Sequence, residues 1–138
     1  MSESRITLQL DARDGEAADR GYQPGETLAG RHQVELARAD DFRAVELSVL
    51  WYTVGQGEED FGVHFFERHA RYDQTLFEVG RTHSFSIPLP NSPLSYQGVL
   101  VNVQWCVRVR LFLPRGREMV EEVPFQLADI PSTASVDS

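Results

Sequence analysis

Four histidines, a single cysteine and a group of arginines are the residues of this 138-residue chain whose types could do chemistry. His32, His64, His69 and His83 raise the question of a metal, since neutral imidazole is a common ligand. His64 and His69 are an odd number of residues apart, so on a regular strand they point to opposite faces, and neither matches a zinc spacing. Gly55-Gln56-Gly57 begins like a dinucleotide loop, but Asp60 stands where the third glycine belongs, and Glu58, Glu59 and Asp60 would repel a phosphate. The same three carboxylates lack the alternating ligands and turn glycine of a calcium loop, and read as a solvated acidic loop. No P-loop and no G-x-S-x-G elbow occurs in the sequence. Neither a catalytic set, nor a metal, nor a cofactor is expected, and an enzyme ranks last of three functional readings.

A binding surface is the remaining chemistry. Arg108, Arg110, Arg115 and Arg117 fall on the outer face and tip of the last expected hairpin, where guanidinium matches the geometry of an acidic or phosphorylated partner. Phe112 and Val120 fall on the same outer face, and paired apolar residues there mark a contact surface. The candidate partner-binding set is therefore Arg108, Arg110, Phe112, Arg115, Arg117 and Val120. Against it stands a solvated, salt-linked face, with Arg110 opposite Glu122 and with Glu118 and Glu121 nearby.

The composition bounds the partners. The net charge is −8 and all 13 basic residues are arginine. That balance disfavours nucleic acid, whose phosphates demand clustered cations, and anionic membrane surfaces. No apolar run is long enough to span a bilayer, and the N-terminus lacks a signal core. One cysteine, Cys106, cannot form an intrachain disulfide, and its parity places it on the polar face of its strand; a cytoplasmic protein is expected.

These residues must be positioned by strands. From Val99 to Leu113 every odd position is apolar, through Val101, Val103, Trp105, Val107, Val109 and Leu111, while Asn102, Gln104, Cys106, Arg108 and Arg110 occupy even ones. Successive strand residues point to opposite faces, so the odd set is buried against a second layer, each large side chain contributing roughly 1.5–3 kcal/mol. Ile6, Leu8 and Leu10 alternate likewise, as do Leu28, Gly30, His32, Val34 and Leu36 after the Pro24-Gly25 turn. His32 stands where an apolar residue is expected, and reads as a half-buried, hydrogen-bonded histidine. Val45, Leu47, Val49 and Trp51 form another core strand; Gly62 to Leu76 is a less regular one that bends or bulges; His83, Phe85, Ile87 and Leu89 alternate before Pro88 and Pro90 stop the pairing. Ala12 to Gly21 reads as a loop, and Ala37 to Ala44 as a turn or one helical turn. A three-residue loop, Arg115 to Arg117, would pair Leu113 with Met119, Val109 with Val123 and Phe112 with Val120, leaving Glu121 opposite Leu111. About seven strands with no helical period predict an all-β, immunoglobulin-like antiparallel β-sandwich over 1–127, with a short polar tail over 128–138.

In this order the residues resemble a known family. Pro24-Gly25-Glu26, the Phe85 to Pro90 strand and bend, the turn Pro93-Leu94-Ser95-Tyr96-Gln97-Gly98 and the central aromatic Trp105 are similar to one domain of the arrestin-like proteins, from about Tyr22 to Leu127. The resemblance implies a β-sandwich without a catalytic centre that acts as an adaptor or scaffold by binding protein. Arrestins carry two such sandwiches in tandem, whereas this chain has room for one. The expected function is a non-enzymatic protein–protein interaction module, with a homodimer through an edge strand or outer sheet face as one mode. The alternative is a sandwich binding a small ligand, a sugar or lipid, between its sheets or in its end loops.

Overall fold

The computed structural model of the protein describes residues 3–11, 21–37, 41–57, 59–71, 77–98 and 100–128. Among these the chain forms strands β1 (Arg5–Leu10), β2 (Gly21–Tyr22), β3 (Thr27–Glu35), β4 (Ala44–Gly55), β5 (Phe61–Ala70), β6 (His83–Pro88), β7 (Tyr96–Gln97), β8 (Val101–Phe112) and β9 (Glu118–Leu127). That is two more than expected, because β2 and β7 are two-residue pairings, too short for any period to register. The order β1-β3-β6 makes one sheet; β2-β9-β8-β4-β5 makes the other, with β7 beside the start of β8. The all-β sandwich is thus the architecture, and its pairings are antiparallel except for β2 on β9, which is parallel. Glu58, Tyr72, Leu76, Val99 and most of the expected Ala12–Gly21 loop lie outside the described residues, as do part of the Ala37–Ala44 turn and nearly all of the tail.

Alternation becomes a core through cross-strand rows. Trp51, Trp105 and Phe125 lie side by side across β4, β8 and β9, followed by Val49, Val107 and Val123, then Leu47, Val109 and Glu121, then Val45, Leu111 and Met119. Opposite them the small sheet presents Ile6, Leu8, Leu28, Val34 and Ile87, all buried. Val107, Val109 and Leu111 have no exposed surface and Trp105 has 1%. Glu121, the one polar member of these rows, is exposed.

The hairpin differs from expectation by a slip of two residues. Leu111, not Leu113, is opposite Met119, and Glu121 faces Val109. Pro114 has no N–H to continue the ladder, so the chain turns there through a 3₁₀ segment, Pro114–Gly116, with Arg115 and Gly116 at φ 66° and 72°. The Leu113 N–H donates to the Arg117 carbonyl at 2.9 Å and closes the turn. A shift of two preserves parity, so the faces remain as expected although the partners change.

Gly30 on the inner face of β3 is fixed by close approach. A Cβ there would lie 2.5 Å from the Gln9 carbonyl oxygen and 2.7 Å from Phe85 Cζ. Gly30→Ala is expected to lose about 1–3 kcal/mol in urea denaturation, because backbone on one side and a packed ring on the other must both shift. An unchanged midpoint would show that the small sheet is looser than this.

Candidate functional site

The outward face of the large sheet is built from the alternate rows. Val63, Leu50, Cys106 and Pro124 form one; Phe66, Ser48, Arg108 and Glu122 the next; Arg68, Glu46, Arg110 and Val120 a third. β5 carries a bulge between the Leu50 and Val49 pairs, where Val63 is opposite Leu50 and Phe65 opposite Val49, leaving His64 as the extra residue. The bulge reverses parity along the strand, so that Phe61 and Val63 before it and Phe66 after it all face outward. These three are 67%, 52% and 54% exposed. Beside them runs an open groove of about 740 Å³ lined by Leu50, Tyr52, Phe61, Arg108 and Arg110, with Glu59 and Asp60 at its end. β5 is the outermost strand of its sheet, pairing with β4 on one side.

The residues expected to bind a partner are spread over this face and the hairpin tip. Arg108 is ion-paired with Glu122, and Arg110 with Glu118, so both already have internal carboxylate partners. Arg110 stands opposite Val120 and Phe112 opposite Glu118; the expected pairings of Arg110 with Glu122 and Phe112 with Val120 do not form. Phe112 is half-buried beneath the guanidinium groups of Arg110 and Arg68, 5.3 and 5.4 Å from its ring centroid. Val120 is 45% exposed, and Arg115 and Arg117 are exposed at the tip. On this face the exposed apolar side chains are Phe61, Val63 and Phe66 of β5, with Val54 of β4 and Val120 of β9.

The remaining chemistry-bearing residues make contacts within the fold. In the acidic loop, the Asp60 N–H donates to Thr53 Oγ1 at 2.8 Å, and the Asp60 carboxylate accepts the Phe61 N–H at 2.8 Å, closing the β4–β5 connection. Cys106 faces outward but is 1% exposed, set between Leu50 and Pro124, not on an open polar face. Burial pushes its thiol up to about 11, Glu122 adding to the shift and Arg108 opposing it, so the reactive thiolate is scarce at neutral pH. His64 Nε2 lies 2.7 Å from the Pro88 carbonyl and its ring meets Trp105 edge-on. His69 Nε2 is hydrogen-bonded to the Glu67 carboxylate and the ring stacks on Phe77. His32 is buried, 6% exposed, and its Nδ1 has no hydrogen-bond partner among the described residues, in contrast to the half-buried, bonded histidine expected. Its ring instead stacks on Phe77 and His83. Among the described residues no group of three or more His, Cys, Asp or Glu side chains is placed to hold a metal ion, and no helix is long and apolar enough to cross a membrane.

No protein-family model and no curated protein matches the sequence. Solved structures do match in fold. One is the crystal structure of Spo0M, a sporulation control protein from Bacillus subtilis, which superposes with a TM-score of 0.61 at 15% sequence identity over 92% of this chain and 50% of that one. The chain spans half the length of that protein and shares its fold over this span.

Proposed function

We propose that this chain is a non-enzymatic interaction module of arrestin-like type, acting in the cytoplasm, which binds a partner protein through the outward face of its large sheet. The observation that carries this reading is the exposure of Phe61, Val63 and Phe66 together on an outermost strand. Large apolar side chains grouped on one face lose water favourably when covered, and a strand paired on one side offers backbone donors and acceptors to an added strand. Arg108 and Arg110 would contribute orientation more than affinity, because each must trade an existing carboxylate for a new one. The interior between the sheets is filled by the packed rows, which speaks for a surface over a sugar or lipid cavity.

The test is affinity capture with the wild-type chain beside a Phe61→Ser/Phe66→Ser variant, together with solution molar mass. Wild type is expected to retain a specific protein, or to be dimeric in its own right, and the variant to lose that association at least tenfold with its thermal unfolding unchanged. Equal retention by both would move the contact off β5, and no specific association by either would reject the reading.

A further inference from the structure

β5 pairs with β4 on one side and, among the described residues, with no strand on the other. Its two ends fix which backbone groups face that open side. The Asp60 carbonyl accepts the Thr53 N–H and the Arg71 N–H donates to the Arg43 carbonyl, each at 2.9 Å, so both ends turn toward β4. The N–H and C=O of one strand residue point to the same side, and the side alternates along the chain. Counted inward from the two ends, Asp60, Gly62 and His64, then Phe65, Glu67, His69 and Arg71, face β4. Phe61, Val63, Phe66 and Arg68 therefore hold their N–H and C=O groups toward the open edge. The bulge at His64 lets the two counts meet, and it also sets the side chains of these same four residues outward.

We propose that β5 pairs with β5 of a second copy of this chain, antiparallel about a two-fold axis between His64 and Phe65, so that two large sheets join into one. This rests on the reading of β5 as the contact strand and names its occupant.

The register follows from the bulge. With the axis there, Phe61 lies opposite Arg68 of the second copy and Val63 opposite its Phe66, and symmetry repeats both pairs. Edge-facing backbone meets edge-facing backbone, and the four pairs exchange about eight N–H···O bonds. Outward side chains stand beside outward ones. His64, whose ring meets Trp105, stands beside Phe65, which packs on the core, so inward meets inward. A shift of one residue sets outward side chains against inward ones, and a shift of two sets Val63 against His64 or Phe65 against Phe66.

The bulge also selects the occupant. A regular strand follows it only by leaving one residue of β5 unopposed, as β4 does, whereas a second copy brings the same extra residue to the axis and leaves none. Charge agrees with the antiparallel sense. Glu59 and Asp60 precede the strand and Arg68 and Arg71 close it, so the acidic end of each copy meets the basic end of the other. Both arginines already have carboxylate partners, Glu46 and Asp41, and the charges set direction more than strength.

Sedimentation equilibrium of the whole chain across about 1–500 µM is expected to show a dimer, with a Kd on the order of 10 µM, and nothing larger, because the pairing uses up the edge. Air oxidation of Val63→Cys mixed with Phe66→Cys is expected to cross-link at least about tenfold more than either variant alone, since no residue lies opposite itself about this axis. Cys106, 1% exposed, adds no background. A monomer throughout, assembly beyond two copies, or equal cross-linking by Val63→Cys alone would overturn the proposal. Should the variants not fold, hydrogen exchange in the wild type decides: Val63 and Phe66 amides that gain protection with concentration support the pairing, and constant ones reject it. A monomer whose captured protein is lost on Phe61→Ser/Phe66→Ser overturns the second copy alone; β5 as the contact strand falls only if that variant captures as well as wild type.

Discussion

Trp105→Ala is expected to lower the stability of the chain by about 3–5 kcal/mol, the largest loss of any single truncation in the core. The indole is 1% exposed and occupies the middle of the row Trp51–Trp105–Phe125, with Phe125 at 5.8 Å between ring centroids. Removing it forfeits the transfer energy of the ring and leaves a void that three strands would have to close together. It also strands the Pro93 carbonyl, which accepts the indole N–H at 2.7 Å and ties the segment before β7 to the core. Trp105→Phe keeps most of the ring and loses the hydrogen bond, so a smaller cost of about 1–2 kcal/mol is expected. Urea denaturation of both variants measures the two parts separately. A loss below 1 kcal/mol for the alanine variant would mean that the row is not packed as described.

His32→Leu is expected to act in the opposite direction. At pH 7.5 it removes a buried nitrogen that has no hydrogen-bond partner, a feature that costs about 1–3 kcal/mol, and forgoes some ring stacking in return, for a net gain of about 1 kcal/mol. The gain grows as the pH falls. The folded-state imidazole sits at about 4, below its unfolded value of 6.5, so between those values the unfolded chain binds more protons. The stability associated with neutral His32 is therefore complete above pH 6.5 and is lost as the pH falls through 4, a loss on the order of 3 kcal/mol by pH 4. The difference between variant and wild type is expected to widen to about 4 kcal/mol at pH 4, and parallel pH–stability curves would refute the assignment.

How much of this was legible in the sequence depends on whether a feature lies in the period of two or in its interruptions. The alternation from Val101 to Leu113 was enough to place Trp105, Val107, Val109 and Leu111 inward, and with the other alternating stretches to specify a two-layer sandwich. Interruptions carried no such signal. The turn at Pro114–Gly116 moved the hairpin register by two residues, because proline and two left-handed residues set a different closure from the one parity allows. The bulge at His64 mattered more. With a strict period, Phe66 would share a face with His64 and oppose Val63; the extra residue instead gathers Phe61, Val63 and Phe66 on one side. The strand's irregularity was visible, but not which side chains it would turn toward water. Cys106 and His32 show a second limit: parity gives direction and not cover, and their burial comes from neighbours on other strands.

The end of β9 is bonded to two distant stretches of chain. The Leu127 N–H donates to Ser95 Oγ at 2.8 Å, the Ser95 N–H to the Leu127 carbonyl at 2.7 Å, and the Ala128 N–H to the Tyr22 carbonyl at 2.9 Å. With Phe125 and Leu127 buried, the knot needs residues more than a hundred positions apart. During synthesis a nascent chain stalled before β9 would leave the long flank of β8 naked and adhesive, and the large sheet would wait on β9 for its completion.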